Sequence, residues 1–202
     1  VLEAAFRKRL ELLEYYKDLD VPINPLVLIQ LPNKDSDPGN AKRIASIEFL
    51  ASKEISVQDE SNGNGKLAIW LDDEPKAENI DRISNNNSEI EFLIFKQAID
   101  TGWDCPRAHI LVKFREVKSE TFEIQTVGRI LRMPEQKHYQ IEALNKGYIF
   151  TNVESIIVSK YALEFCALQS WPMFASFTED TTIRNQNPKW EKKYTGIRPV
   201  IW

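Results

Sequence analysis

The sequence predicts an α/β domain in which a mainly parallel sheet carries helices on both faces. Three observations carry this expectation. Five short apolar runs, Pro25–Leu31, Lys66–Leu71, Ile90–Lys96, Ala108–Phe114 and Lys146–Val153, are continuous rather than alternating. That is the pattern of strands buried on both faces. Segments with helical apolar spacing lie between several of them, as crossovers between parallel strands require. The 202 residues are 43 % hydrophobic and 28 % charged, which suits a packed globular chain and excludes disordered and collagen-like classes.

Each element has its own reason. Leu2, Ala5, Phe6, Leu10, Leu13 and Tyr16 recur at three- and four-residue steps, one face of a helix over residues 2–17. Asp20, Pro22 and Pro25 end it, because proline lacks the amide hydrogen that a helix interior needs. Pro25–Leu31 is the first strand, Pro32–Asn40 a polar loop and Ala41–Ala51 a helix. Asp59–Lys66 is rich in Asn and Gly, the residues of turns. Lys66–Leu71 is the second strand, Ala77–Ser84 a short helix, Ile90–Lys96 the third strand and Ala108–Phe114 the fourth. Phe122–Met133 is a helix stopped by Pro134, and Lys146–Val153 is the fifth strand. Beyond residue 154 the periodicity fades. Ile156–Leu168 is expected to hold one or two helical segments. Trp171–Trp202, with three of the five Trp, is expected to be an extension packed on the domain or the start of another. The expected organisation is an N-terminal helical segment 1–24, a core domain 25–153 and an aromatic-rich part 154–202.

Charge narrows the function classes. The net charge is −4, yet residues 1–91 hold 11 Lys/Arg against 18 Asp/Glu and residues 92–202 hold 15 against 12. The total excludes a protein that coats DNA through a uniformly basic surface, while the second half keeps room for a local basic groove. Two Cys (Cys105, Cys166) and two His (His109, His138) do not supply the four clustered ligands of a structural zinc site, so no metal ligands are expected. Sparse Cys suits a reducing, cytoplasmic setting. No apolar run reaches the ~20 residues that span a bilayer, so no membrane partner is expected. The chain opens on Val1 rather than Met and is expected to belong to something longer.

Two attractive patterns fail. Asn62–Lys66 (NGNGK) imitates a phosphate loop, but the motif needs Gly at 60 and Ser or Thr at 67, where the chain has Glu60 and Leu67. It is expected to be a surface turn. Leu71–Lys76 (LDDEPK) imitates a metal-dependent nuclease, but E-x-K is short and common, and a solvated loop suffices. His109, in an apolar strand, is expected to be a core or edge histidine, and Cys105 a small buried side chain.

Two further patterns carry chemistry. In Phe95–Phe114 a strand ends, a loop holds Thr101-Gly102-Trp103-Asp104, and another buried strand follows. Gly102 suits a tight turn or the close approach of a ligand, and Asp104 could accept hydrogen bonds from a ribose. A plain turn with a buried Trp is the alternative. In Gln125–Pro134 (QTVGRILRMP), Gln125, Arg129 and Arg132 fall at i, i+4 and i+7, one face of a helix. Two guanidinium groups one turn apart can fork a polyphosphate and stabilise charge on a γ-phosphate. A solvated helix with a Val127, Ile130 and Leu131 core face is the alternative.

Together, in this order, the two patterns resemble motifs V and VI of the second RecA-like domain of superfamily 2 helicases and translocases. KQAIDTGWD matches motif V, with Lys96 and Gln97 where the family usually has Thr and Asp. QTVGRILR matches motif VI, Q-x-x-G-R-x-x-R. Pro25–Lys34 sits where motif IV falls. GWD followed by Pro, then QTVGRILRMP and KGYIFTN, is most similar to the Res subunit of type III restriction–modification enzymes, and the resemblance covers about residues 25–153. It implies a three-layer RecA-like domain that serves as the second lobe of an ATP-dependent DNA motor. Gly102 and Asp104 would contact ATP, with Asp104 on the ribose. Arg129 and Arg132 would reach the γ-phosphate, and Gln125 would couple nucleotide state to closure. Lys96, Gln97, Asn33 and Lys34 would face the backbone of double-stranded DNA. ATP and Mg would be held mainly by a first RecA-like domain of the same protein, which carries the phosphate loop and the D-E-x-H box. A DNA-methyltransferase (Mod) subunit would be the partner. The resemblance also implies that this chain alone neither turns over ATP usefully nor cuts DNA. A different superfamily 2 DNA-repair or RNA helicase, or an inert α/β interaction module, remains open at this stage.

Overall fold

A computed structural model describes residues 1–32, 37–58, 63–71, 80–96, 103–114, 126–135 and 137–152, and the backbone strands 178–179 and 192–197. Its centre is a parallel sheet of five strands. These are β1 (Leu26–Gln30), β2 (Leu67–Trp70), β3 (Phe92–Phe95), β4 (Ala108–Lys113) and β5 (Lys146–Thr151), in the order β2-β3-β1-β4-β5. All five apolar runs are strands. β1, β3 and β4 are buried along their whole length. Because the strands are parallel, their carboxyl ends share one edge, where an open α/β sheet binds ligands.

Strand alternation divides the interior into two cores. On one face Val27, Ile29, Phe92, Ile94, Ile110, Val112, Tyr148 and Phe150 pack with helix α1 (Leu2–Asp18) and with Leu50 of helix α2 (Asp37–Ala51). On the other, Leu26, Leu28, Leu93, Phe95, Leu111 and Ile149 pack with Ile83, Trp103, Cys105, Val127, Ile130 and Leu131. Ile83 closes the single turn of α3 (Ile80–Ile83). Helical segments thus cover both faces, in an α/β RecA-like arrangement. Of the two expected carriers of chemistry, Trp103 of the GWD bend and the core residues of the arginine segment, Val127, Ile130 and Leu131, lie on the second face.

Several boundaries differ from the sequence reading. The first helix buries Ala5, Arg9, Leu12 and Tyr16, while Leu10 is 42 % exposed. A cation holds the centre of the apolar face because it is fully satisfied there. Its Nε donates to the Pro25 carbonyl (3.0 Å), one Nη donates to Asn24 Oδ1, and the other pairs with Glu91 (3.1 Å). Helix α2 begins at Asp37, so the polar loop is shorter than Pro32–Asn40. Pro38 in the first turn interrupts no bond, since amides there have no intrahelical acceptor. The helix expected over Phe122–Met133 is helical at 126–129 and then tightens, with Ile130 N–H bonding Val127 O (3.1 Å) and Leu131 N–H bonding Gly128 O (3.2 Å). Arg132 therefore lies beyond the helix, and the i, i+4, i+7 face is not what brings it to the site. Pro134 biases the residue before it away from helix, which fits this early end. The short helix expected over Ala77–Ser84 is described from residue 80, as α3, and residues 77–79 and 122–125 lie outside the described residues.

The core readings of His109 and Cys105 hold. The register between β1 and β4 shifts at Leu26/Val27, so that Val27 faces Ile110. His109 is the extra residue, fully buried, with its Nε2 2.6 Å from Tyr16 Oη. Cys105 is a small buried side chain. In the expected turn at NGNGK, Gly63 and Asn64 are exposed. Gly65 is buried, and a Cβ there would strike the backbone of Val57 and Gln58. That close approach serves the bridge between Val57 and Leu67.

Within Trp171–Trp202, the backbone strand β7 (Lys192–Ile197) pairs antiparallel with β5, and β6 (Thr178–Glu179) with β7. The expected helical segments of Ile156–Leu168 lie outside the described residues. Among the described residues no helix is long and apolar enough to cross a membrane.

Candidate functional site

The site is built from two segments anchored on the second face. The 103–107 segment is tied down by its own side chains. Trp103 and Cys105 are buried, and the Cys105 thiol points at the Ile83 carbonyl, 3.7 Å away. Arg107 donates to Ile83 O and Asn24 O, both at 2.7 Å. Burial pushes the Arg107 pKa down to about 10, which leaves it cationic at neutral pH. Asp104, between these buried neighbours, is about half exposed.

The 126–132 segment is anchored by Val127, Ile130 and Leu131 in the same core. Its approach to the sheet depends on Gly147 in β5. A Cβ at that position would lie 2.8 Å from the Ile130 carbonyl oxygen and 3.3 Å from its side chain. Glycine thus lets the turn rest against the strand.

These anchors direct both guanidinium groups at the same bend. Arg129 donates through Nη1 to the Trp103 carbonyl, and its Cζ lies 5.8 Å from the centroid of the Trp103 ring. Arg132 Nη1 is 2.7 Å from Asp104 Oδ1, and the two side chains are 48 % and 49 % exposed. Burial lowers the Arg129 pKa, the neighbouring Arg132 lowers it further, and Asp104 opposes both. The two cations are thus close enough to feel one another, a repulsion that an anion between them would relieve. An ion pair this exposed is worth only about 0–1 kcal/mol, whereas charge-assisted bonds from arginine to phosphate are among the stronger ones in proteins. An incoming phosphate can therefore displace Asp104 from Arg132 at little cost. The displaced carboxylate is then free to accept hydrogen bonds from a ligand hydroxyl.

The sequence reading did not single out the floor beneath this bend. The last paired residues of the five parallel strands, Trp70, Phe95, Gln30, Lys113 and Thr151, form one row across the sheet. Phe95 belongs to the core of the second face, with Trp70 packed against it. Gln30, Lys113 and Thr151 follow Leu28, Leu111 and Ile149 by two residues and so point to that same face. Thr151 Oγ1 donates to the Lys113 carbonyl at 2.8 Å. Gln30 is fully buried, and among the described residues neither polar atom of its amide has a partner. Trp70 meets Trp103 edge to face, with ring centroids 6.2 Å apart and planes at 88°. Strand alternation alone puts these residues on one face; register, which sequence does not display, aligns them.

Four of the expected site residues are described. Arg129, Arg132 and Asp104 come together with Trp103. Lys96, just past β3, is 8 % exposed, so its side chain is largely covered rather than presented to solvent. Gly102, Gln125, Gln97, Asn33 and Lys34 lie outside the described residues, as does the LDDEPK loop beyond Leu71.

Comparison with known proteins gives two partial matches. Over 81 residues the chain is 33 % identical to the "Type III restriction-modification enzyme StyLTI Res subunit" of Salmonella typhimurium, a match covering 37 % of this chain and 8 % of that protein. Over 88 residues it is 31 % identical to "Putative helicase 22" of a Sulfolobus islandicus filamentous virus, covering 43 % of this chain and 14 % of that protein. The chain thus corresponds to a small part of each of these relatives. No protein-family profile and no solved structure matches it. The two likenesses, on a parallel α/β sheet with a paired-arginine site, support a helicase-related chain.

Proposed function

We propose that this chain is the second RecA-like lobe of an ATP-dependent DNA translocase, of the kind found in the Res subunit of type III restriction enzymes. The observation that carries the reading is the convergence of Arg129 and Arg132 on the Trp103–Asp104 bend. In this reading a first lobe holds ATP and Mg, and the nucleotide supplies a γ-phosphoryl group whose charge grows during transfer. Arg129 and Arg132 close on that charge as arginine fingers. Asp104, released from Arg132, takes the ribose. Gly102 would also contact ATP, and Gln125 would couple nucleotide state to closure. When the phosphate leaves, Arg132 returns to Asp104 and the lobes separate, so the cleft is the bistable element. Contact with the DNA backbone would fall to Gln97, Asn33 and Lys34, since the Lys96 side chain is largely covered. Phosphate contacts of this type give affinity without base recognition, and a methyltransferase subunit would supply specificity.

The site chemistry fits the nucleotide. The paired guanidinium groups match a polyphosphate in charge and hydrogen-bond geometry, and the Arg132–Asp104 pair is about half exposed. The likeness to the viral protein favours a second reading, another superfamily 2 helicase with the same lobe and the same fork.

The test uses the protein joined to its proposed first lobe. Arg132→Ala is expected to lower kcat for ATP by about 10³-fold while leaving affinity for duplex DNA nearly unchanged. An unchanged kcat would remove Arg132 from the finger role. This chain by itself is expected to give no turnover in the same assay.

A further inference from the structure

Arg129 is the more buried of the two cations, and its surroundings are unusual. Its guanidinium is held twice by one residue, through the backbone carbonyl of Trp103 and over the face of the Trp103 ring. That ring is itself held. Trp70, the last residue of β2, meets it edge to face at 6.2 Å, the arrangement in which a ring's positive edge meets a negative face. Trp103 is 8 % exposed and belongs to the apolar core that includes Phe95 and Val127. The strand, the two indoles and the guanidinium thus form a continuous stack from the sheet edge to the cleft.

A long arginine side chain on a short helical turn has several rotatable bonds. Left alone it samples many positions, and ordering it at the moment of reaction carries an entropy cost. A planar cation laid on an indole, with one N–H fixed to a carbonyl, has that order beforehand. Preorganised charge stabilises a transition state most effectively because nothing needs to move as the charge develops.

We propose that Trp103, braced edge-on by Trp70, is a positioning residue that holds Arg129 ready for the γ-phosphate. The proposal rests on the arginine-finger reading given above and deepens it. The indoles touch no reacting atom; they act through Arg129. Trp70 belongs to a different strand and to neither of the two motifs, so the β2 edge contributes to the nucleotide cleft through this stack alone among the described residues.

Two measurements test it. The first uses this chain: phenylglyoxal labelling of arginine, followed by mass spectrometry of the Arg129 and Arg132 sites. Trp103→Leu and Trp70→Leu are expected to speed labelling of Arg129 by about tenfold, the loss of a partly desolvated cation–π contact, and to leave Arg132 within about twofold. The second uses the protein joined to its first lobe. Both Leu variants are expected to lower kcat about tenfold with KM for ATP nearly unchanged. Trp103→Phe, which keeps an aromatic face, is expected to restore most of the rate. Trp70 is only half-buried, so Trp70→Leu keeps the test alive if Trp103→Leu fails to fold. Wild-type labelling and wild-type kcat in folded Trp70→Leu and Trp103→Leu would overturn the positioning role. If Arg129→Lys itself kept full kcat, the finger reading would fail instead, and with it the proposal that rests on it.

Discussion

At the scale of single residues, the site is a set of side chains whose partners are weak enough to exchange. Arg132 and Asp104 hold each other in water, where the pair contributes little, and each suits a different part of a nucleotide. Arg9 and Arg107 show the opposite behaviour. Both are buried and donate to carbonyls at the amino end of the sheet, where Arg9 also pairs with Glu91; these contacts tie the fold together. Among the described residues two buried groups lack a hydrogen-bond partner, Arg107 Nη2 and the Gln30 amide. Neither polar atom of the Gln30 amide is paired, which costs about 1–3 kcal/mol of desolvation. Gln30→Met keeps the length and removes the polar atoms. It is expected to raise stability to urea unfolding by about 1 kcal/mol or more, and a loss of stability would show that the amide is satisfied in solution.

At the scale of elements, the strands could be read from sequence and the turn that carries Arg132 could not. Continuous apolar runs such as LVLIQ and AHILVK have one explanation in a chain of this composition, a strand covered on both faces. The apolar period of Val127, Ile130 and Leu131 continued past the true end of its helix, because those side chains serve the core equally well from a tight turn. Pro134 was the signal that the helix closes early, but it does not say by how many residues. The burial of Arg9 is tertiary as well: a cation takes the centre of a buried helical face only because Glu91 and the Pro25 carbonyl lie beside it. The convergence of Arg129 on Trp103 is tertiary, and no spacing in the chain encodes it. Trp70 was legible in principle, since alternation within KLAIWL sets it on the same face as Ala68. Gly147 is the hinge of this arrangement at element scale. Gly147→Ala would force a methyl against the Ile130 carbonyl, 2.8 Å away. It is expected to cost about 1–3 kcal/mol and to shift the arginine segment off the strand. Calorimetry would read the lower Tm, and an unchanged Tm would mean that the turn does not rest on β5 in solution.

At the scale of the whole molecule, the proposed function makes this chain one half of a site. The parallel sheet puts the Trp103–Asp104 bend and the two arginines on one face, but the phosphate loop and acidic box that would hold a nucleotide are absent from this sequence. A lobe of this kind contributes little to ground-state nucleotide affinity and much to the charged transition state, because its cations arrive only when the cleft closes. Binding of ADP and of ADP with aluminium fluoride, a mimic of the transferring phosphoryl group, separates these contributions in the protein joined to its first lobe. The account predicts that the Arg129→Ala/Arg132→Ala double variant binds ADP nearly as the wild type does and loses about 10²-fold or more in affinity for the aluminium fluoride complex. Equal affinities of the wild type and the double variant for that complex would contradict it.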